Sequence, residues 1–525
     1  MKGGEAERVA KEKRILWVDD EIDLLSSHIM FLGEKGYAVT AASSGDEALA
    51  ELKKGRFDLI LLDETMPGKS GLETLQAIKE IDSNLPVIMI TKNEAENLVD
   101  QAIGMKIDDY LLKPVNPLQI YSAAKRILDS HRIQETVLSK DYLQAYQRIN
   151  GNLRSDPGWR EWIGIHQELS LWDVEFDRFS ATGLEQTQQD LKKKSNFDFA
   201  RYIERVYPDW MRGSERPPLS VDVMGRWVLP RLREGKKIYF VLIDCMRYDQ
   251  WLKIEDLLAP FYTIERDCYY SILPTATPYS RNAIFAGAFP SEIQRRTPEQ
   301  WLERSKDELS KNRFEYAFMQ ELLARSGLGA VTTKYIKIYE IEEANEIRKQ
   351  VDSYRGIDLV AMVFNFLDIL AHGRSQSEIL QEIAPNESAF RSLMRSWFVH
   401  SALFDILQRI SKHGATVIIT TDHGSILGAR ASLVHGNRDT STNLRYKFGE
   451  NINGDSRQTL LIRKPLEFNL PAEGPSKNYI LAKENFYFVY PTKFHEYERQ
   501  YMGTFQHGGI SLEEMIVPCV TLTPR

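Results

Sequence analysis

Residues 58–64, DLILLDE, form an apolar run that ends in two acids. Such a run is typical of a strand that is buried on both faces of a sheet. Four similar runs surround it, at 14–20, 38–43, 86–91 and 109–114. Segments with apolar residues at helical spacing alternate with these runs, at 23–36, 44–55, 70–81, 93–106 and from Pro117 onward. Strict alternation of strand and helix predicts a doubly wound α/β domain with a five-stranded parallel sheet.

The predicted strands of this domain end in residues with polar or charged side chains. These are Asp19 and Asp20 on the first strand, Asp63 on the third, Thr91 on the fourth and Lys113 on the fifth. The carboxyl ends of neighbouring parallel strands meet at one edge of the sheet, so the side chains are expected to share a pocket. Carboxylates packed together repel one another unless a cation lies among them, and their oxygens suit Mg²⁺. The sequence therefore predicts a magnesium site in which one aspartate accepts a phosphoryl group.

Residues 13–135 resemble the receiver domain of bacterial response regulators. The resemblance rests on the DD pair at 19–20, the DETMPGKSG stretch at 63–71, the threonine at 91 and the KP dipeptide at 113–114. It implies that Asp63 is the phosphoacceptor. The Mg²⁺ ligands that it implies are Asp19, Asp20, Asp63 and the carbonyl of Thr65. It also implies that Thr91 and Lys113 contact the phosphoryl group and that Tyr110 is the aromatic switch residue.

The middle of the chain has a different pattern. Apolar residues recur at helical spacing across residues 131–235, with a turn-rich break, RGSERPPLS, at 212–220. We therefore predict three parts: a receiver domain at 1–135, a helical connector bundle at 136–214 and a second α/β domain at 215–525. The lysine triplet at 192–194 is expected to lie on a solvated helix face.

Strand signals return after residue 235. The runs KKIYFVLID (236–244), DLVAMVFNF (358–366) and ATVIITTD (415–422) are mostly apolar and carry Asp or Asn at or near their ends. Fully buried parallel strands have this composition, and open α/β sheets bind ligands outside the carboxyl ends of their strands. Residues 425–505 are more polar and irregular, and we expect them to be an insertion over that site.

Acidic and histidine side chains follow these predicted strands. Three aspartates and three histidines are concerned: Asp244, Asp368, His372, Asp422, His423 and His507. A mixed set of carboxylates and imidazoles suits Zn²⁺, with Mn²⁺ as the alternative. Six ligands are too many for one tetrahedral ion, so two metal ions are expected. Two neighbouring ions can clamp the attacking and leaving oxygens of a phosphoryl displacement.

The segment LPTATPYSRNAIFAG at 273–287 supplies three candidate nucleophiles, Thr275, Thr277 and Ser280. The segment is expected to be a loop that opens a helix of small residues. A helix N-terminus offers unpaired N–H groups to an anion, and a nearby metal ion makes a hydroxyl easier to deprotonate. All three hydroxyls stay candidates on these grounds.

Residues 215–525 resemble the alkaline phosphatase superfamily, and the PglZ domain within it, through the order D…T…DxxxH…DH…H. In the phosphodiesterase branch the nucleophilic threonine stands ten residues before a glycine, which selects Thr277 because of Gly287. The resemblance implies one zinc site formed by Asp244, Thr277, Asp422 and His423, and another formed by Asp368, His372 and His507. Contacts to substrate are expected from Asn365, Arg247 and Arg281. The alternatives are a strand-end cap for the asparagine and ion pairing for the arginines.

The chain as a whole resembles response regulators that join a receiver to a PglZ domain and are linked to type IX secretion. This resemblance implies a sensor histidine kinase as partner and zinc-dependent phosphodiesterase activity on nucleotides or oligonucleotides. It also implies control of type IX secretion genes through an ECF-type sigma factor. The alternative function is a non-catalytic scaffold that binds the sigma factor. We further expect that phosphorylation favours a homodimer.

Composition restricts the other classes of function. The chain has 525 residues and a formal net charge of −7, and we find no short basic recognition helix, so a DNA-binding output is disfavoured. The three cysteines show no CxxC spacing, and no run of about 18 apolar residues occurs, so neither a cysteine zinc site nor membrane insertion is expected. The charged N-terminus lacks the apolar segment of a secretory signal. We therefore expect a cytoplasmic protein.

Overall fold

The computed structural model describes residues 13–525 except 83–84, 93–106, 129, 179–182, 214, 299–311, 375–376, 438–442, 473–475 and 493. The helix expected at 93–106 therefore lies outside the described residues. The chain forms two compact units, residues 1–141 and residues 142–525. Within the described part of the chain, no helix is both long and apolar enough to cross a membrane.

The first unit is built on a parallel sheet in the order β2-β1-β3-β4-β5. Its strands are β1 (Lys13–Val18), β2 (Tyr37–Ala42), β3 (Leu59–Asp63), β4 (Val87–Thr91) and β5 (Asp109–Leu112). Its described helices are α1 (Ser26–Glu34), α2 (Gly45–Lys54), α3 (Gly71–Ile81) and α4 (Pro117–Leu128). The helix α5 (Ser130–Arg154) follows along the chain. The predicted five-stranded parallel sheet is confirmed.

Burial on both faces explains the continuous apolar runs of this sheet. The central strands β1, β3 and β4 carry side chains with almost no solvent exposure on either face. The loop after β3 ends at a capping box, in which Ser70 Oγ accepts from the Glu73 N–H at 3.3 Å. The Glu73 carboxylate in turn accepts from the Ser70 N–H at 2.9 Å. This cap fixes the start of α3, and with it the loop that follows Asp63.

The second unit is built on a six-stranded sheet in the order β7-β19-β10-β6-β9-β8. Its strands are β6 (Ile238–Ile243), β7 (Tyr262–Tyr270), β8 (Thr333–Ile338), β9 (Leu359–Phe364), β10 (Thr416–Thr420) and β19 (Ile516–Pro524). The three strands expected from the apolar runs, β6, β9 and β10, form the centre and run parallel. The strands β7 and β8 were not predicted. Both lie at the edges of the sheet, where charged residues interrupt the apolar pattern.

Helices cover this sheet and extend the second unit. They are α6 (Trp159–Phe176), α7 (Glu185–Met211), α8 (Leu229–Arg233), α9 (Tyr248–Leu258), α10 (Thr277–Ala286), α11 (Pro290–Arg296), α12 (Glu315–Arg325), α13 (Ile341–Gln350), α14 (Phe366–Arg374), α15 (Glu378–Ile383), α16 (Glu387–His400), α17 (Ala402–Ser411), α18 (Phe494–Tyr501) and α19 (Leu512–Met515). The helices α6 and α7 belong to the predicted connector bundle. Trp162 of α6 and Phe199 of α7 lie in the same hydrophobic core as Phe240 of β6. The connector helices and the sheet therefore form one packed body.

The described residues between 426 and 506 form three small sheets, where the sequence suggested an irregular segment. Their orders are β11-β18, β14-β12-β17 and β13-β16-β15. The strands are β11 (Ile426–Leu427), β12 (Arg430–His435), β13 (Tyr446–Glu450), β14 (Asn453–Gly454), β15 (Thr459–Ile462), β16 (Lys477–Ala482), β17 (Phe486–Val489) and β18 (Phe505–Gln506). Charged residues within and beside these strands obscured the apolar pattern, and some of these charged side chains are buried. Arg445 is fully buried, and its Nε donates to Glu514 of α19 at 3.1 Å.

Candidate functional site

The first candidate site lies at the carboxyl edge of the five-stranded sheet. Carboxylate oxygens of Asp19, Asp20 and Asp63 lie within 4.8 Å of one another. Lys113, which follows β5, places Nζ 2.8 Å from Oδ2 of Asp19 and 2.8 Å from Oδ2 of Asp63. Asp19 and Asp63 are buried, whereas Asp20 is exposed. The structure therefore brings these four predicted residues together.

The charges in this pocket favour a bound cation. Burial raises the pKa of Asp63, the Lys113 ammonium opposes that rise, and the nearby Asp19 adds to it. Three carboxylates face one ammonium group, so a divalent cation would balance the remaining negative charge. An oxygen-only donor set suits Mg²⁺. The residues fit the expected magnesium ion, with Lys113 available to pair with an anionic phosphoryl oxygen.

The other predicted receiver residues lie around the ends of β3, β4 and β5. Thr91 is buried and donates its hydroxyl hydrogen to Glu64 Oε2 at 2.9 Å. Sequence reasoning missed Glu64, although its place directly after Asp63 puts it at the same edge. Thr65 is exposed, and Tyr110 is 43% exposed. If Thr91 is to donate its hydroxyl hydrogen to a phosphoryl group on Asp63, it must therefore break its hydrogen bond to Glu64.

The second candidate site lies at the carboxyl edge of the six-stranded sheet. Asp244 follows β6, and Asp422 and His423 follow β10; their ligand atoms lie within 4.8 Å of one another. The turn after His423 admits only glycine. A Cβ atom on Gly424 would lie 1.9 Å from the carbonyl oxygen of Glu513. This close approach of two backbone segments fixes the position of His423.

A further group of ligand atoms lies beside the first. Asp368 and His372, one turn apart in α14, converge with His507, which follows β18. The Nε2 atom of His372 lies 3.3 Å from Asp368 Oδ1 and 3.3 Å from His507 Nε2. The rings of His507 and His423 stack with their centroids 4.2 Å apart. All six predicted metal ligands therefore meet at one edge of the sheet.

Hydrogen bonds at Nδ1 set the tautomers of His423 and His507. His423 Nδ1 lies 3.1 Å from the Gly424 carbonyl, and His507 Nδ1 lies 3.3 Å from the Thr275 carbonyl. A carbonyl only accepts, so each Nδ1 carries the proton and each Nε2 directs a lone pair at the ligand group. Burial, and then the neighbouring His423, lower the pKa of His507 to about 3. The neutral imidazole of His507 in this tautomer is a suitable zinc ligand.

Arg281 is the cation that lies between the carboxylates of this site, and it is 1% exposed. Its Nε donates to Asp422 Oδ2 at 2.9 Å, and its Nη2 pairs with Asp244. Its Nη1 lies 3.7 Å from Glu315, a buried acid that sequence reasoning did not identify. The guanidinium therefore serves mainly Asp244 and Asp422, since Glu315 also pairs with Lys337 Nζ at 3.1 Å.

The charge balance of this cluster fits a metal ion. Burial raises the pKa of Asp244 well above its ordinary value, and Arg281 only partly opposes that rise. Burial also acts on Asp422, but Arg281 and then His423 lower its pKa to about 2. The Oδ1 atom of Asp244 is buried and accepts no hydrogen bond from the described residues. A buried carboxylate oxygen without a donor is costly unless a cation binds it.

The three candidate nucleophiles differ in their hydrogen bonds. Thr277 is the first residue of α10, and its Oγ1 lies 3.0 Å from His423 Nε2. The Thr275 hydroxyl bonds instead to the backbone of residues 508–509, at 2.8 and 3.1 Å. Ser280 is fully buried, and its Oγ lies 2.9 Å from another serine hydroxyl. Of the three, the hydroxyl of Thr277 contacts a ligand side chain, and Thr275 holds the loop that carries His507.

The three predicted substrate contacts are all engaged within the protein. Asn365 Nδ2 donates to the Ile338 carbonyl at 3.0 Å, and its Oδ1 accepts from Arg281 at 3.0 Å. Asn365 thus caps a strand end and supports Arg281. Arg247 is 1% exposed, and its guanidinium pairs with Asp249 and with Glu387 at 2.6 Å. The structure therefore gives no support to a substrate contact at Arg247.

The expectation of a solvated lysine face fails at Lys192. Its side chain is only 12% exposed, and Nζ lies 2.6 Å from Asp173 and 2.9 Å from Glu387. Lys193 is 59% exposed, as expected. A run of lysines on a helix does not show which member turns inward. Lys192 joins the connector helices to the ion pairs around Arg247, because Glu387 binds both side chains.

Three family models match the chain. The model described as the BREX system PglZ alkaline phosphatase-like domain matches residues 223–522, which is more than half of the chain. The response regulator receiver domain matches residues 15–125, and the PorX response regulator linker domain matches residues 132–211. A receiver followed by an alkaline phosphatase-like domain defines a response regulator with an enzyme-type output domain. The chain belongs to the PglZ family, and its three matches give the domain order of PorX.

Similar curated proteins cover the receiver part. ResD, a transcriptional regulatory protein of Bacillus subtilis, is 40% identical over 118 residues, which is 22% of this chain and 48% of ResD. CpxR of Escherichia coli, also a transcriptional regulatory protein, is 33% identical over 165 residues, which is 31% of this chain and 69% of CpxR. The chain thus spans about half the length of the first relative. Among solved structures, CheY4 of Vibrio cholerae is 30% identical with a TM-score of 0.22, over 22% of this chain and all of that chain.

Replacement of Arg281 by methionine is expected to destabilise the metal-free protein because Asp244 and Asp422 then lose their buried cation. The loss should be about 3–5 kcal/mol. Zinc should restore more stability to this variant than to the wild type, since the ion balances the carboxylate charge that Arg281 no longer neutralises. Melting temperatures measured by scanning fluorimetry, with and without zinc, check this expectation.

Arg247→Met is the matched control, because Arg247 is equally buried but pairs with Asp249 and Glu387 away from the ligand groups. It should lower the melting temperature without increasing the zinc effect. An equal zinc effect on both variants would contradict this description of the site.

Proposed function

We propose that this protein is a response regulator in which phosphorylation of Asp63 controls a zinc-dependent phosphodiesterase. The observation that carries the proposal is the position of Thr277, whose hydroxyl lies 3.0 Å from His423 Nε2 beside two groups of metal-type ligands. Two zinc ions would neutralise the anionic phosphate ester and the threonine oxygen. The substrate class is a nucleotide or oligonucleotide diester. Mg²⁺ in the receiver pocket would support phosphorylation by a sensor histidine kinase.

Thr277 would act as the nucleophile from the start of α10. Attack of its Oγ1 on phosphorus forms the Oγ1–P bond and releases one alcohol. Attack of water on this phosphothreonine then releases the phosphomonoester and restores the hydroxyl. At the start of α10 the N–H group suited to a phosphate oxygen would be that of Thr277 itself, because Pro278 has no N–H and those of Tyr279 and Ser280 donate to the Ala276 carbonyl. Arg281, which pairs with Asp244 and Asp422, would hold these two ligands rather than the substrate.

The proposed organisation keeps a receiver domain at 1–135, a helical connector at 136–214 and the hydrolase domain at 215–525. The match to a linker domain described by the name PorX supports a role in type IX secretion gene expression. The proposed partner for that role is an ECF-type sigma factor in the cytoplasm. A scaffold that binds such a factor without catalysis would not need the Thr277 hydroxyl at the ligand groups.

Asp63 is expected to be the sole phosphoacceptor because, of the three acids in the pocket, it is the one that ends the central strand β3, and it faces Lys113 there. Incubation with acetyl phosphate and Mg²⁺ should add one phosphate, which peptide mass spectrometry should map to Asp63. Asp20→Asn should slow this labelling, since it removes a magnesium ligand and leaves the acceptor. Stable labelling of Asp63→Ala would contradict the assignment.

Thr277→Ala is expected to lower the turnover of a chromogenic phosphodiester by at least about 1,000-fold, as loss of a catalytic nucleophile does. The variant should keep most of its zinc, since six other ligands remain. His507→Ala should instead reduce the zinc content from two ions towards one. Turnover and elemental analysis of the same samples separate the two effects.

Ser280→Ala is the control for Thr277→Ala, because it removes a buried hydroxyl of the same helix that does not contact a ligand side chain. It should retain activity. The proposal fails if Thr277→Ala keeps full activity, or if freshly purified wild-type protein holds no zinc.

Phosphorylation is expected to shift the protein from monomer to two-fold dimer. A phosphoryl group on Asp63 would draw Thr91 away from Glu64 and leave room for the exposed Tyr110 to turn inward. That change alters the surface formed by β5 and α4, through which two receivers would pair. A shift from mostly monomer to mostly dimer requires only a few kcal/mol, which is roughly what a phosphoryl switch supplies.

Light scattering with and without beryllofluoride measures the mass, and the diesterase rate is recorded on the same samples. The Asp63→Asn variant serves as the control that cannot bind the phosphoryl mimic productively. An unchanged mass and rate with Asp63 demonstrably occupied would rule out this coupling.

A further inference from the structure

A cleft of about 470 Å³ opens at the carboxyl ends of β8 and β9, one strand away from the metal-type ligands that follow β6. Its floor includes Ile338 and Phe364, the last residues of these two strands, and both are buried. Helices α13, α16 and α17 contribute its walls. None of the residues to which a role has been assigned so far, apart from Asn365, lines this cleft.

The walls of the cleft combine a stacked pair of aromatic rings with a few polar groups and the acidic Glu340. Phe366 and Trp397 stack with their ring centroids 4.0 Å apart and their planes only 5° from parallel. Ile341, at the start of α13, is 67% exposed and lines the same cleft. Amide and hydroxyl groups of Asn345 and Ser401 also line it. An apolar and aromatic lining with a few polar groups is typical of a site for a planar, partly polar ring.

The cleft and the candidate active site share Asn365 and α14 as a common boundary. Asn365 lines the cleft, and its Oδ1 accepts from Arg281, which pairs with Asp244 and Asp422. Phe366 begins α14, and the ligand Asp368 stands two residues later on the same helix. A phosphate at the ligand groups would therefore have this cleft beside it.

We propose that the cleft is a subsite for the planar base of a nucleotide ester, with the outer face of the stacked Phe366–Trp397 pair as the surface on which the base stacks. This inference rests on the proposed function and adds to it the part of the substrate that the enzyme recognises. Stacking of one base on an aromatic side chain changes binding by about tenfold or more. The subsite would make the protein select phosphate esters that carry a base over those that do not.

Binding of thymidine 5′-monophosphate and of 2-deoxyribose 5-phosphate to the full chain, measured by calorimetry, tests the subsite. The two ligands share sugar and phosphate and differ only in the base. Wild-type protein should bind the nucleotide about tenfold more tightly than the sugar phosphate. Trp397→Leu and Ile341→Arg should remove this preference and leave binding of the sugar phosphate unchanged. Because Ile341 is exposed, the Ile341→Arg variant should fold and can still test the subsite if Trp397→Leu fails to fold.

Ile379→Arg is the matched control, because Ile379 is 69% exposed on α15 and does not line the cleft. It should keep the preference. Equal binding of the two ligands by wild-type protein, or a preference that survives Ile341→Arg, overturns the subsite. Hydrolysis of thymidylyl-thymidine is measured in parallel. Absence of hydrolysis with an intact, cleft-dependent base preference would refute the proposed function and leave the subsite standing.

Discussion

The guanidinium of Arg281 lies between Asp244 and Asp422 in a pocket where almost no solvent reaches it. These two acids follow adjacent strands, β6 and β10, so the arginine ties two strand ends to the helix α10 that carries it. Thr277 stands one turn earlier on that helix, and its hydroxyl is thereby held at His423. Removal of the guanidinium would leave buried carboxylates facing one another, which is strongly unfavourable. The positions of Asp244, Asp422 and Thr277 in the second site therefore depend on these ion pairs.

A second buried set of charges ties the connector helices to the same region. Lys192 of α7 binds Asp173 of α6 and Glu387 of α16, and Glu387 also binds Arg247, three residues after Asp244. Burial opposes the charged form of Lys192, but the acids around it raise its pKa. A displacement of α6 or α7 would therefore disturb the ion pairs of Glu387 with Lys192 and Arg247. The network thus connects the middle of the chain to the segment that follows Asp244.

The sequence was informative wherever a residue type was tied to a strand end. Continuous apolar runs marked β3, β6, β9 and β10, and the acids and histidines after them meet as their positions at the sheet edge required. Sequence analysis did not predict the edge strands β7 and β8 or the small sheets of 426–506. Charged residues interrupt the apolar pattern of these strands, and tertiary contacts decide which of the charged side chains are buried. Glu64, Glu315 and the inward turn of Lys192 escaped for the same reason. Whether each of these charged side chains is buried depends on a partner distant in sequence or on the face of the helix that carries it.

The stacked rings of His423 and His507 belong to the two ends of the segment that forms the three small sheets. The chain leaves the ligand groups at His423, builds those sheets and returns at His507. Since both ends are anchored, the segment can gain or lose residues without moving a ligand, and the entropy of closing a longer loop grows only slowly. The two parts of this segment are therefore under different evolutionary constraints. The chemistry is fixed at the ends of the excursion, while its interior can diverge to suit new substrates.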